Sequence, residues 1–144
     1  MRRERVVCAY PGTATVGLSL WIIEDQKIVR VAMGSAQAST VAALFERFDP
    51  DLLIIEGGRE RGVACSPFRA RSRKLNIVHP GWQDAPLRRP ERGMSVLTHN
   101  AWRMGYHQLV RRGNYKIGLL RPEKLDEEWL QKNSPSGRYR EARS

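Results

Sequence analysis

The feature that most constrains the fold is an uninterrupted apolar run in the middle of the chain. It lies within D-L-L-I-I-E at residues 51–56 and is ended by Gly57-Gly58. A strand exposed on one face alternates apolar and polar residues, whereas a run that is apolar throughout predicts a strand covered on both faces. We therefore expect a central strand here, in a sheet with helices on both sides.

Three stretches rich in β-forming residues precede this run, at residues 5–10, 15–24 and 27–33. Pro11-Gly12 separates the first two stretches, and Asp25-Gln26 separates the last two. Short connections between such stretches favour antiparallel pairing. The pattern predicts a three-stranded meander.

Helical spacing follows the meander and recurs later in the chain. Apolar residues stand at i, i+3, i+4 and i+7 within residues 39–48, and Asp49-Pro50 ends this segment. A fifth strand is predicted at 75–79, followed by a longer helix from Val96 to near Arg111. The predicted fold class is α/β, with a mixed five-stranded sheet and helices on both faces.

The length of 144 residues is that of a single domain. We predict one domain over residues 1–132 and a polar tail over 133–144. No stretch is apolar enough to cross a membrane and no leader peptide is recognised, so a cytoplasmic protein is expected. The two cysteines, Cys8 and Cys65, lack the spacing of a zinc site or a disulfide framework.

Positive charge is concentrated in the middle of the chain. Residues 57–121 hold fourteen basic and three acidic side chains, a net charge of +11, whereas residues 1–56 carry −1 and residues 122–144 carry 0. Such a concentration predicts a surface that binds a polyanion, most often nucleic acid. Composition does not separate DNA from RNA, and a solvated basic face or an acidic protein partner is the alternative.

The predicted nucleic-acid contacts come from the basic segments on either side of the fifth strand. Cationic side chains there are expected to neutralise phosphates. Trp82, in a proline-rich loop among arginines, is expected to stack on a base, whereas Trp21 and Trp102 lie on patterned elements and are expected in the core. The basic contacts predicted are Arg59, Arg61, Arg69, Arg71, Arg73, Lys74, Arg88, Arg89 and Arg92.

Three local motifs, in this order, resemble those of the RuvC-type Holliday-junction resolvases and their bacteriophage relatives. The first is V-V-C-A-Y-P-G at residues 6–12, similar to the family's strand that ends in Asp-Pro-Gly. The second is F-D-P-D-L-L-I-I-E-G at 48–57, and the third is H-N-A-W-R-M-G-Y-H at 99–107. The resemblance implies a ribonuclease-H-like fold and an ancestry among nucleases that cut DNA with Mg²⁺.

The sequence departs from this family at the residues that bind metal. The resemblance implies three carboxylates around two Mg²⁺ ions, which activate water and stabilise the leaving oxygen. Here Tyr10 and Asn100 stand at two aspartate positions, and Glu56 is the only retained carboxylate. Because Mg²⁺ prefers anionic oxygen ligands, the site is expected to hold no metal and the protein to need no cofactor.

Two alternatives for these residues stay open. Glu60, Asp84, His99 and Glu91 are the nearest substitute ligands, although nothing in their spacing recommends them. Glu56 is alternatively a strand-end carboxylate that pairs with an arginine such as Arg59 or Arg103, without binding metal.

The functional hypothesis is a catalytically inactive RuvC-like protein that binds branched or duplex DNA through its basic face. One alternative is an active Mg²⁺-dependent, structure-specific endonuclease with rebuilt ligands. Another is a structural subunit of a nucleoprotein or virion assembly. A bacteriophage origin is expected, a homodimer is left open, and no membrane partner is expected.

Overall fold

The computed structural model describes residues 2–57, 74–78, 95–118 and 120–135. These residues form one sheet of seven strands in the order β5-β4-β1-β2-β3-β6, with β7 also beside β3. The strands are β1 (Arg3–Pro11), β2 (Thr15–Glu24), β3 (Lys27–Gln37), β4 (Leu52–Glu56), β5 (Lys74–Val78), β6 (Lys116–Ile117) and β7 (Glu123–Lys124).

The first three strands form the predicted antiparallel meander, with Tyr10 opposite Gly17 and Gly17 opposite Ser35. Asp25 and Gln26 connect β2 to β3 with positive φ angles of 49° and 67°, the backbone of a tight hairpin turn. Strand β4 pairs parallel to β1, and β5 pairs parallel to β4. The sheet is therefore mixed, as predicted, and two further two-residue strands extend it.

Helices cover both faces of the sheet, which confirms the α/β class. Helix α1 (Val41–Phe48) lies on one face and α2 (Val96–Tyr106) on the other. The chain continues from α2 as a π-helical segment over His107–Arg112. A third helix, α3 (Glu127–Asn133), joins α1 on its face.

Alternation along β1 divides the core between the two faces. Val7 and Ala9 pack with the α1 side, whereas Val6, Cys8 and Tyr10 pack with the α2 side. Successive side chains of a strand point to opposite faces, so a strand that is covered on both faces contributes apolar residues to both cores. The continuous apolar run in β4 supplies both cores in the same way.

Helix α2 packs against β2 at two glycines. A side-chain carbon at Gly17 would overlap the backbone of Leu97, and one at Gly105 would lie 2.6 Å from the indole nitrogen of Trp21. Between these contacts, Ser19 donates a hydrogen bond to the carbonyl of Ala101 at 2.8 Å. These contacts hold α2 along β2, where the helix also contacts β1.

The end of the described chain differs in detail from the predicted elements. The sequence further predicts a short strand over 115–120 and a short acidic helix over 122–132. The structure limits the strand to Lys116–Ile117 and begins the helix at Glu127. The reason is that Asp126 caps this helix by accepting a hydrogen bond from the backbone nitrogen of Trp129 at 2.8 Å. Residues 123–124 pair instead with β3.

Arg5 joins the start of the sheet to the ends of α1 and α3. It donates to the carbonyl of Phe48 at 2.7 Å and to the carbonyl of Asn133, and its guanidinium lies 4.2 Å from the centre of the Phe48 ring. Asn133, the first residue of the predicted tail, is thus the last residue of a packed helix. Residues 136–144 of that tail lie outside the described part.

No helix among the described residues is both long and apolar enough to span a membrane.

Candidate functional site

The candidate site lies where β1 and β4 end side by side. Cys8 is paired with Ile54 and Ala9 with Ile55 in the parallel register, so the next step places Tyr10 beside Glu56. Neighbouring strands lie about 4.8 Å apart. Tyr10 is 8% exposed and Glu56 is 7% exposed. The two side chains that the sequence motifs singled out are therefore neighbours, on the face that α2 covers.

Helix α2 brings its side chains to this site from above the sheet. The helix begins at Ser95, whose hydroxyl accepts a hydrogen bond from the backbone nitrogen of Thr98 at 3.1 Å. Asn100, Arg103 and His107 follow at i, i+3 and i+7, and so share one side of the helix. His99, in the first turn, is buried.

Arg103 is the cationic residue of the site. Burial lowers the pKa of its guanidinium, while an electrostatic interaction with Tyr10 raises it. Asn100 lies one turn before Arg103 on the same side of α2. Of the third motif, an amide and a guanidinium therefore share one side of α2.

The described residues of this site do not fit a pair of Mg²⁺ ions. No group of three His, Cys, Asp or Glu residues lies close enough together within residues 2–57, 74–78, 95–118 and 120–135 to hold a metal ion. Tyr10 and Asn100 add no negative charge to that of Glu56, and Arg103 adds a positive charge beside Tyr10. A divalent cation would thus meet one carboxylate and a neighbouring cation.

Of the substitute ligands considered from sequence, His99 is described and buried. Glu60, Asp84 and Glu91 lie outside the described residues. Arg59, one of the two arginines considered as a partner for Glu56, also lies outside them. The other, Arg103, is described and interacts electrostatically with Tyr10.

Lys74 is the one predicted nucleic-acid contact among the described residues. It is exposed and starts β5 opposite Leu52, whereas Glu56 pairs with Val78 at the other end of that strand. Lys74 therefore lies about 13 Å along the strand from the level of Glu56. The other predicted contacts, which lie outside the described residues, are Arg59, Arg61, Arg69, Arg71, Arg73, Trp82, Arg88, Arg89 and Arg92.

Solved structures share this arrangement of strands and helices. The structure of Thermus thermophilus RuvC matches 78% of this chain and 98% of its own chain, with a TM-score of 0.52 and 14% sequence identity. The chain has a RuvC-like fold. This confirms the ribonuclease-H-like fold that the motifs implied, and at such low identity it establishes the fold alone.

Two further structures match over similar lengths. T. thermophilus RuvC in complex with a Holliday-junction substrate matches 77% of this chain and 97% of its own, with a TM-score of 0.47 and 11% identity. The nuclease domain of the large terminase subunit gp2 of bacterial virus Sf6 matches 90% and 68%, with a TM-score of 0.40 and 14% identity. No known protein family and no curated protein matches the sequence.

The RuvC-like fold shows which feature of the site was hard to find in the sequence. The sequence predicts Arg103 only as a partner for Glu56, whereas its interaction with Tyr10 depends on where α2 crosses the sheet. The available signal was its spacing of three residues from Asn100, which places both on one side of a helix.

Proposed function

We propose that this protein binds branched or duplex DNA without cutting it, using a RuvC-like fold that has lost its metal site. The observation that carries the proposal is the composition of the strand-end site. The register of β1 and β4 places Tyr10 beside Glu56 at the strand ends, and Arg103 on α2 interacts electrostatically with Tyr10.

The chemical argument concerns charge. Two-metal cleavage of a phosphodiester needs clustered anionic oxygens that offset the repulsion between two divalent cations. Glu56 supplies one carboxylate, and neither a phenol nor an amide replaces a second or third. Arg103 supplies a fixed positive charge that further disfavours a metal ion beside Tyr10.

The binding argument rests on the net charge of +11 over residues 57–121. Arginine predominates in that segment, and its planar guanidinium suits the geometry of phosphate oxygens. Such contacts attract DNA of any sequence, because phosphates position a protein without identifying bases. A homodimer, a bacteriophage origin and the lack of any cofactor stay predictions.

The first experiment incubates the purified protein with four-way junctions, flaps and single strands in Mg²⁺ or Mn²⁺. We expect every substrate to remain intact. The matched variants are Glu56→Ala at the site and Lys124→Ala on the exposed strand β7. Cleavage that is abolished by Glu56→Ala and kept by Lys124→Ala would overturn the proposal in favour of an active endonuclease with rebuilt ligands.

A second experiment restores the missing charges. The double variant Tyr10→Asp, Asn100→Asp should bind Mn²⁺ measurably in calorimetry, while the wild-type protein should not. Adding Arg103→Gln should strengthen this binding, because it removes a neighbouring positive charge. Equal Mn²⁺ binding by the wild type and all the variants would contradict the argument from charge.

A third experiment measures DNA affinity against salt concentration. If four to six arginines contact phosphates, log affinity falls with log salt at a slope of about −4 to −5. Replacing Arg69, Arg71 and Arg73 with alanine should flatten that slope, and Trp82→Ala should weaken binding to junctions more than to duplexes. No DNA binding at micromolar protein near physiological salt would favour the assembly subunit, with the arginines facing an acidic protein.

A further inference from the structure

Four exposed cations lie towards the end of the sheet opposite the candidate site. Lys27 starts β3 and Lys116 starts β6, and the two lysines are direct partners in the parallel register. Their Cα atoms are therefore about 4.8 Å apart. Arg111 and Arg112 end the π-helical segment, a few residues before Lys116. We call these four residues the lower cationic patch.

A short turn leads from the arginines to Lys116. The backbone nitrogen of Tyr115 donates to the carbonyl of Leu109 at 2.9 Å, and that of Lys116 donates to the carbonyl of Gln26 at 3.0 Å. The π-helical segment thus leads directly into β6. Four residues of chain span at most about 14 Å, so Arg112 and Lys116 can reach neighbouring phosphates of one backbone.

The carboxylates at this end of the sheet are engaged elsewhere. Glu4 accepts a hydrogen bond from the hydroxyl of Tyr115 at 3.1 Å and pairs with Arg2 at 3.5 Å. Glu24 lies opposite Lys27 in the antiparallel register, but its side chain pairs with Arg3. Asp25 accepts a hydrogen bond from the backbone nitrogen of Arg2 at 3.0 Å.

Among the residues that the structure describes, the lower cationic patch forms no ion pair. Two like charges side by side on neighbouring strands repel each other. Arg111 and Arg112 interact favourably with the negative end of their helix, but both remain exposed. An anion bound across the patch would relieve the repulsion between the lysines.

From this geometry we infer that the lower cationic patch is a second phosphate-binding surface, which takes the backbone of a nucleic-acid duplex. The inference rests on the proposed function and extends it, since none of the four residues belongs to the basic contacts predicted around the fifth strand. Seven residues of β1 separate the level of Arg3, next to the patch, from that of Tyr10. The patch therefore lies about 23 Å along the strands from the site.

The chemistry of the patch favours nucleic acid over an acidic protein. Protein interfaces have an apolar or aromatic centre, whereas nucleic-acid interfaces are polar and positively charged. In the described part of the chain, the large apolar residues that are exposed are Ile77 on β5 and Val96 at the start of α2. Both lie away from the patch. One protein with two such surfaces could contact two duplex segments at once, as the arms of a branched DNA would require.

The test compares two charge-matched double variants in salt titrations with a labelled duplex. Lys27→Gln with Lys116→Gln changes the patch, and Lys124→Gln with Lys132→Gln removes two exposed cations elsewhere. Both lower the net charge from +10 to +8. Because each phosphate contact adds about 0.9 to the slope of log affinity against log salt, the patch variant should lose about 1.8 and the control much less.

A second pair of substitutions tests the patch independently of the two lysines. Arg111→Gln with Arg112→Gln should produce a loss that adds to that of the lysines, so that the quadruple variant loses about 3 to 4 from the slope. Thermal melting checks folding, and the lysine variant should melt at or above the wild-type temperature because the repulsion is gone.

The outcomes separate this inference from the proposed function. If the wild type binds duplex and the patch variants match the control, the second surface does not exist and the proposed function stands. If the wild type binds no duplex at all, both fail. A reduced slope for both patch pairs, with an unchanged control, supports the second surface.

Discussion

Two arginines differ in their surroundings: Arg5 lies near the start of β1, and Arg103 lies on α2. At the start, Arg5 is 7% exposed and bonds to the carbonyls of Phe48 and Asn133, while its own backbone nitrogen donates to Asp51 at 2.9 Å. Burial lowers its pKa to about 10, with Arg3 adding to this effect and Asp51 and Asp49 opposing it. This arginine ties two helices to the sheet.

At the other end of β1, the arginine comes from the helix above. Arg103 is partly exposed and lies close to Tyr10, next to the Glu56 strand end. Its position depends on α2, which contacts β2 through Gly17 and Gly105. The comparison teaches that burial with backbone acceptors makes Arg5 a structural residue, whereas Arg103 stays partly exposed on the outer helix.

The largest expected effect on the free energy of unfolding concerns the packing of α2 at the site end of the sheet. Gly17→Ala would place a carbon atom over the carbonyl of Leu97 and 2.6 Å from the nitrogen of Thr98, so α2 must move or β2 must bend. We expect a loss of about 3 kcal/mol in the free energy of unfolding, measured by urea titration. Gly118→Ala, where nothing lies within 4 Å, is the control and should be close to neutral. Equal stability of the two variants would show that α2 does not contact β2 at Gly17.

The next effect concerns the start of β1. Arg5→Met removes both carbonyl contacts and leaves the Phe48 and Asn133 oxygens without this donor. A loss of about 2 kcal/mol in unfolding free energy is expected. Arg3→Met, which removes an ion pair between partly exposed side chains, should cost less than about 1 kcal/mol. The structural assignment of Arg5 fails if both variants lose the same amount.

The smallest expected effect is a pH dependence of stability that arises from Cys8, in the middle of β1. Burial raises the pKa of the Cys8 thiol to about 12 from an ordinary value of 9.0, while hydrogen bonds with Ser19 and Trp21 act in the opposite direction. Above pH 9 the unfolded chain loses a proton that the native protein keeps, so stability falls as pH rises, by up to about 1.4 kcal/mol per pH unit. In a Cys65→Ser background, Cys8→Ala should reduce this decline between pH 9 and 10.5.

Thiol labelling sharpens that measurement. Cys8 is fully buried beneath α2, so a thiol reagent should modify it only when the protein opens. In the Cys65→Ser background, labelling should be slow in buffer and fast in urea. Fast labelling of the native protein would mean that α2 leaves the sheet readily and that the site end is the looser half of the molecule.

Most of the fold could be predicted because its signals are local. The period of two along β1, the helical spacing of Val41, Leu44, Phe45 and Phe48, and the continuous apolar run in β4 each predict one element. The least accurate predictions lay in 115–132, where strands of two residues have no clear period and a cap at Asp126 sets the helix start. The motifs also selected Tyr10, Glu56 and Asn100, which the fold brings to one end of the sheet.

The sequence by itself determined that the chain has a sheet covered on both faces and an excess of positive charge in its middle. Only the tertiary structure decided which of these residues are neighbours. Tyr10 lies beside Glu56 and Lys27 beside Lys116, because strand register joins segments that are distant along the chain. The spacing of apolar residues along the chain predicts each helix or strand. The register between strands depends instead on pairing energies summed over the whole sheet.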